Sequence, residues 1–496
     1  MTSWYLDDGI IAGPKETIAN DLKQIISNLR TIGLELNPNK CEFIPLSSNH
    51  PATTTTVSQL QSILPGMKIT PKNELTYLNS PILLDAIPNA IIKAGKVVST
   101  MCNRIPHLDR HTGLFILTHY TSAPRLNYLM RTSPTYLCPD ALGQLDSQVQ
   151  ETAVLVTNVK LEAKAWTQAT LPTRAGGLGL RRVESLALPC FLASINKSLM
   201  LMDMILPEPL TERPQLLINA EQHLNAQYPA IETPSGEAVV QQRAWDDAIS
   251  KIEFDNLLNS ANQIERARLL AAASPHSGAW LQALPIEGLG LNLDDEVVRV
   301  AVSLRVGAEM CEPHKCRCGS KSDNLGLHGL SCRRSAGRLP RHYSLNDIIK
   351  RSLEQAGTPA WLEPVGLDRG DGRRPDGITV FPFSNGKSLT WDATCSDTFC
   401  KTNIGDTALS PGSAATRAEE RKRVLYSGIA ARYRFEPVAV ETTGVLGKST
   451  SKFVAELGRR ITARTGERRE TEFLRQRISL AIMRGNAASI MATGTV

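Results

Sequence analysis

The chain has 496 residues, 42% hydrophobic and 21% charged, an ordinary folded composition long enough for three or four domains. Its net charge of +6 is unevenly placed, because residues 417–484 carry +8 and the remainder −2. Ten cysteines are too sparse for a disulfide scaffold, and no run of about 18 apolar residues suggests a membrane span, so secreted disulfide-rich and membrane classes are set aside.

The first element is "SWYLDDGII" (3–11), two short apolar runs around Asp7-Asp8-Gly9, which reads as a hairpin whose turn uses positive φ at Gly9. Asp7 and Asp8 also interrupt any signal-peptide pattern, and an intracellular protein is expected. Ile18, Leu22, Ile25, Ile26 and Leu29 then recur at helical spacing, with Gly33 as a C-terminal cap. "ATTTT" (52–56) reads as a loop. The hairpin, "GLELNPNKCEF" (33–43) and "LTYLNSPI" (75–82), in that order, resemble the last palm motifs of a non-LTR retrotransposon reverse transcriptase. The resemblance implies that Asp7 and Asp8 are the palm's metal-binding pair, that Lys40 lies in the lysine motif, and that "YLNSPI" is the primer grip, with Asn79 where that family usually has Gly. Two-metal phosphoryl transfer needs carboxylates that bridge both ions, and the resemblance implies a further essential Asp on an earlier palm strand, so a truncated, non-functional polymerase remnant is expected.

From about 86 to 310 the apolar spacing is mainly helical, broken at "LPTRAGGLGLRR" (171–182) and "ETPSGEA" (232–238). "HYTSAPRLNYLMRTSP" (119–134) and "GGLGLRR" resemble thumb and post-thumb segments of the same family, with Arg125, Arg131, Arg174, Arg181 and Arg182 as basic side chains that can face solvent or a nucleic-acid backbone.

Next comes Cys316-x-Cys318, nine residues, His328, three residues and Cys332. Four soft ligands on two short arms close a tetrahedral zinc site with no open position, structural in character, and the metal then supplies folding energy that so small a module lacks. The Cys-x-Cys gap is tight, which leaves Cys311 or His314 as an alternative ligand. The pattern resembles the zinc knuckle that non-LTR elements place between polymerase and endonuclease.

Ser344 is read as the start of a helix through Leu345, Ile348, Ile349 and Leu353 that stops at Gly357. "WLEPVGL" (361–367), "RRPDGITVF" (373–381) and "SLTWDATCS" (388–396) follow, the last two joined at Ser384-Asn385-Gly386, then a helix over 413–430 and the strand "FEPVAVET" (435–442). Helix, three strands, helix, strand is the core order of restriction-like endonucleases. Pro375-Asp376, fifteen residues and Asp392 resemble that fold's proline-aspartate pair and second acid. Hard carboxylate oxygens suit Mg²⁺ or Mn²⁺ for phosphodiester hydrolysis, with Glu363 as a further candidate ligand. Thr394 stands where many members have the lysine that orients the attacking water. In the retroelement branch that lysine lies on the following helix, and Lys422 in "AEERKRVLY" (418–426) fits the placement, with Glu419 on the same face and Leu425 where a second basic residue is usual.

"GVLGKST" (444–450) has the ending of a phosphate-binding loop, but the motif's first Gly is replaced by Thr442, beside Glu441. The basic helices of 417–484 suit a polyanion, with Arg421, Arg423, Arg459, Arg460, Arg468 and Arg469 as the residues expected to meet DNA and element RNA.

The expected fold is multidomain α+β: a truncated palm (1–85), a thumb-like helical region (86–190), a helical linker (191–300), a zinc knuckle (301–340) and a restriction-endonuclease-like domain (341–496). The expected function is a retrotransposon-derived protein whose metal-dependent endonuclease nicks target DNA, in the nucleus when it acts there. An inactive remnant, or a domesticated nucleic-acid-binding protein, is the alternative.

Overall fold

A computed structural model describes residues 2–46, 51–206, 210, 212–367 and 374–494. Helix and strand are mixed, the sheets are small, and the architecture is compatible with a multidomain α+β protein. Contacts divide the chain into two compact units, the first made of Met1–Ser99, Arg125–Leu145 and Val183–Asp246, the second of Thr100–Pro124, Asp146–Arg182 and Asp247–Val496.

In the first unit, β1 (Thr2–Tyr5) and β2 (Asp8–Ile11) pair antiparallel with Tyr5 opposite Asp8. The turn is therefore Leu6-Asp7, with the positive φ at Leu6 (55°), and not Asp7-Asp8-Gly9 as the sequence suggests. Gly9 is required for another reason: it lies opposite Trp4, whose ring fills the space a Cβ would take. The helix Lys15–Thr31 ends as expected, with Gly33 at φ 79° and the Leu34 N–H donating to the Leu29 carbonyl.

Residues 52–56 are helical, not a loop, since they form the first turns of Pro51–Ile63. Threonine's weak helix preference is overridden by packing, because Leu60 and Leu64 from this segment close a core with Leu22 and Met67. Short pairs follow: β3 (Glu42–Phe43) with β4 (Lys68–Ile69), and β5 (Thr76–Tyr77) with β6 (Ser80–Pro81). Leu78 and Asn79 join β5 to β6 with φ of 51° and 62°. Asn tolerates the left-handed region better than other non-glycine residues, which accounts for Asn79 at a position glycine would also suit.

Within the helix Val183–Ile205, Val183–Met202 is long and apolar enough to cross a membrane by length and composition alone, although Glu184, Asn196 and Lys197 interrupt its apolar run. Here Leu186, Leu188, Cys190, Phe191 and Leu192 from it are buried within the first unit.

In the second unit, β7 (His314–Lys315) and β8 (Lys321–Ser322) form a small hairpin followed by the short helix His328–Ser331. The next helix runs Arg338–Gln355, starting six residues before Ser344, because Pro340 sits in the first turn, where its missing N–H is no loss. The four-stranded sheet has the order β12 (Arg434–Glu441), β11 (Leu389–Ser396), β10 (Gly377–Thr379), β9 (Ala360–Leu362). β9, β10 and β11 are antiparallel neighbours, and β12 runs parallel to β11. The β10–β11 connection turns at Asn385 and Gly386, both at positive φ. The crossover from β11 to β12 carries the helices Ser413–Leu425 and Ser427–Ala430, split at Tyr426 rather than continuous over 413–430.

Two buried glutamates hold the crossover. Glu441 on β12 accepts from the N–H groups of Ala414 and Ala415 (3.0 and 3.4 Å), which caps the helix Ser413–Leu425, and burial pushes its own pKa up. Glu419 on that helix accepts from the N–H groups of Ser449 and Thr450 (2.9 and 2.8 Å), capping the next helix, Lys448–Thr465.

The last helix, Glu470–Met491, is buried around much of its circumference and packs on the helices Arg338–Gln355, Lys448–Thr465 and Asp295–Val306. Glycines permit the closest approaches. A Cβ on Gly337 would meet the Gly485 carbonyl, and one on Gly329 would meet the backbone of Ser489 and Ile490. Gly337→Ala should therefore destabilise the fold by about 2 kcal/mol, whereas Gly143→Ala, a helical position with nothing within 4 Å, should stabilise it by roughly 0.5–1 kcal/mol. Thermal unfolding of the two variants checks the opposite signs.

Candidate functional site

Two clusters lie in the second unit. In the first, the β7–β8 turn presents Cys316 and Cys318, and the short helix returns His328 with Cys332 at its end. Gly319, at φ 94°, allows the tight turn, in which its N–H donates to the Cys316 carbonyl. The ligand atoms of Cys316, Cys318, His328 and Cys332 all lie within 4.8 Å of one another. Sγ of Cys316 is 3.7 Å from Sγ of Cys332, and Sγ of Cys318 is 3.2 Å from Nε2 of His328. Zinc–sulfur bonds of about 2.3 Å imply a tetrahedral sulfur–sulfur edge of roughly 3.8 Å, so the donor set fits zinc.

Hydrogen bonds from Ser320 bring the Cys318 thiol down to about 6, while burial pushes Cys332 up to about 11. A metal would favour the thiolate at each sulfur. The two alternative ligands stand outside the cluster: the Cys311 thiol faces the Asp323 carbonyl at 3.2 Å, and His314 bonds the Glu312 carbonyl and the Thr493 hydroxyl.

The second cluster is set by strand register. Gly377 pairs with Trp391, and the N–H of Asp376, the residue just before β10, also donates to the Trp391 carbonyl at 2.9 Å, which brings Asp376 beside the strand that carries Asp392. Like charges brought together repel. Burial, and then the Asp376 carboxylate, raise the pKa of Asp392, which is only 4% exposed. Lys422 answers from the crossover helix, with Nζ 2.5 Å from Asp392 Oδ1. Asp376 Oδ2 accepts from the Ala393 N–H at 2.6 Å and from His342 Nε2 at 3.0 Å. The bond to Asp376 is the main cause of a raised His342 pKa. Tyr426, where the crossover helix breaks, donates to the Arg374 carbonyl at 3.0 Å and also interacts with Asp392.

The structure thus brings Asp376, Asp392 and Lys422 together. It sets Glu363 differently: its N–H donates to the Asp376 carbonyl, but its exposed carboxylate pairs with Arg374. His342 and Tyr426 were missed by the sequence reading. The only local signal for His342 is its place one turn before Asn346 on a helix that precedes the strands.

The remaining candidates are dispersed. Asp7 and Asp8 are exposed on their hairpin, as is Lys40 after it. Arg421, Arg423, Arg459, Arg468 and Arg469 are exposed, and Arg460 is half-buried. Arg469 pairs with Glu467, Arg460 with Glu456, and Arg423 donates to Ser449. At "GVLGKST", the N–H groups that a phosphate would need already bind the Glu419 carboxylate, and Gly447 leaves the space that this carboxylate enters. A nucleotide site there is excluded by the occupied donors.

No family model matches the chain. Over 460 residues, 90% of its length, it is 20% identical to the "Retrotransposable element SLACS 132 kDa protein" of Trypanosoma brucei gambiense. The chain spans 33% of that protein's length. This similarity supports a retrotransposon-derived protein.

Metal-purified protein should contain one zinc per chain by elemental analysis. Cys332→Ala and His328→Ala should each lose it and Cys311→Ala should keep it; zinc retained after both of the first two changes would show that the cluster is not the site.

Proposed function

We propose that this retrotransposon-derived chain carries a Mg²⁺- or Mn²⁺-dependent DNA endonuclease site made by Asp376, Asp392 and Lys422 on a restriction-endonuclease-like core, with the Cys₃His cluster as a structural zinc knuckle. The observation that carries it is a pair of carboxylates, Asp376 beside β10 and Asp392 on β11, that interact electrostatically, with a lysine 2.5 Å from one of them. Two acids held together against their repulsion fit a divalent cation better than they fit a purely structural role. The hairpin bearing Asp7 and Asp8, with the segment through Pro81, is read as the end of a polymerase palm.

A bound cation would supply Lewis-acid stabilisation of the phosphodiester and lower the pKa of water. The protein's own groups do the positioning. Asp376, with Oδ2 already holding two N–H donors, offers Oδ1 to the cation. Asp392 offers its carboxylate from the adjacent strand. Lys422 keeps a positive charge beside Asp392 and has a donor to orient the attacking water, the task that Thr394 lacks the chemistry for. Glu363, tied to Arg374, is left as a surface ion pair in this arrangement. Exposed Arg421, Arg459 and Arg468 would contact the DNA or element-RNA backbone, and action on DNA would place the protein in the nucleus.

With supercoiled plasmid DNA in Mg²⁺ or Mn²⁺, the full chain should nick. Asp376→Ala and Asp392→Asn should abolish nicking while leaving DNA binding nearly intact, and Lys422→Ala should slow it roughly 100-fold. Gel-shift and nicking assays on the same preparations check this. Binding without cutting by the parent would favour the domesticated binder, and nicking by Asp376→Ala at the parental rate would move the site elsewhere.

A further inference from the structure

We propose that His342 is a positioning residue that fixes the Asp376 carboxylate in the orientation that leaves Oδ1 for a divalent cation, an inference that rests on the endonuclease reading above. The argument starts from Trp391, which is fully buried and whose indole N–H can only donate. That N–H lies 3.0 Å from Asn346 Oδ1, so the amide oxygen faces the indole and the NH₂ faces the other way. The NH₂ lies 3.5 Å from the ring nitrogens of His342, one helical turn earlier. A carboxylate oxygen accepts and an imidazole N–H donates, so His342 Nε2 is the donor to Asp376 Oδ2.

Trp391 thus fixes Asn346, Asn346 lies against the His342 ring, and His342 donates to Asp376. The end point is selective. Oδ2 receives His342 and the Ala393 N–H, and these two donors hold the carboxylate against rotation. Asn346 is 4% exposed, whereas the His342 side chain is 35% exposed and carries little of the core. The ring therefore serves to orient rather than to pack. Outer partners that orient ligating carboxylates are a general device for preparing a metal site.

The test uses the zinc-loaded full chain and Mn²⁺ alone as probe, with affinity read by electron paramagnetic resonance of free Mn²⁺. His342→Phe keeps the ring and removes the donor, and should weaken Mn²⁺ binding roughly 10- to 100-fold. His342→Gln places an amide N–H near the position of Nε2 and should restore affinity close to that of the parent. His342→Leu replaces the Phe variant if that protein does not fold, as judged by its melting curve and zinc content. Parental Mn²⁺ affinity in the donor-less variant, with affinity lost in Asp376→Ala, overturns the positioning role and leaves the endonuclease reading in place. A Gln variant as weak as the Phe variant also overturns it. Equal Mn²⁺ affinity in the parent and in Asp376→Ala removes the metal site itself, and the positioning role with it.

Discussion

Asp376, just before β10, and Asp392, on β11, lie close enough to repel, and the architecture around them answers to that repulsion. The β10–β11 pairing brings the two acids together, with the Asp376 N–H on the Trp391 carbonyl at the end of the ladder. Holding them requires positive charge and donors from other elements. Lys422 supplies the charge, the Ala393 N–H and His342 supply donors, and each comes from a different part of the chain. Lys422 can do so only if its helix is fixed in axial position. Glu441 fixes the start of that helix from β12, and Glu419 ties its middle to the start of Lys448–Thr465. Both glutamates are buried, where a carboxylate persists only if its acceptor sites are filled by well-placed donors.

The Cys₃His cluster and the acidic pair share a support without sharing residues. The last helix lies against the short helix that carries His328 and against the helix that carries His342. Gly329 and Gly337 bring the backbone after the cluster into direct contact with that helix, and Arg341 bonds Asn486 on it at 2.6 Å. Asn486 in turn donates to the Thr442 carbonyl just beyond β12. The backbone that leaves the cluster at Cys332 thus runs directly into the Arg338–Gln355 helix, which starts one turn before His342.

Much of this was legible in the sequence because the signals are local. The Cys and His spacing, the Gly33 cap, the Asn385-Gly386 turn and the order of helix and strands depend on neighbours within a few residues. The missed features depend on distant partners. His342 meets Asp376 across 34 residues, and a lone histidine on a helix has no pattern that distinguishes it from a surface residue. Glu419 and Glu441 read as ordinary charges because the N–H groups they cap lie 30 and 27 residues away. The Thr-rich stretch 52–56 became helical because Leu60 and Leu64 needed burial, a tertiary demand that local preference does not reveal. The Leu6-Asp7 turn differs from the expected one by where the ladder closes, which a dipeptide signal cannot fix to the residue.

Net charge is also a weaker guide to exposed charge than composition suggests. Arg305 is almost fully buried and donates to the carbonyls of Gly177, Thr173 and Ala272, which shapes the "GGLGL" loop; burial lowers its pKa to about 10. Arg181 donates to the Thr170 carbonyl, and Arg174 and Arg182 pair with Asp247 and Glu253. Within the basic C-terminal segment, Arg484 donates to the carbonyls of Gly290 and Asn292, Arg475 pairs with Glu472, and Arg434 with Glu456. A guanidinium engaged in this way keeps its formal charge but has fewer free donors for a phosphate. Because the salt dependence of nucleic-acid binding scales with the phosphates actually neutralised, the exposed basic side chains of the segment, Arg421, Arg432, Lys452 and Arg468 among them, rather than its formal +8, would set the steepness that any such binding would show.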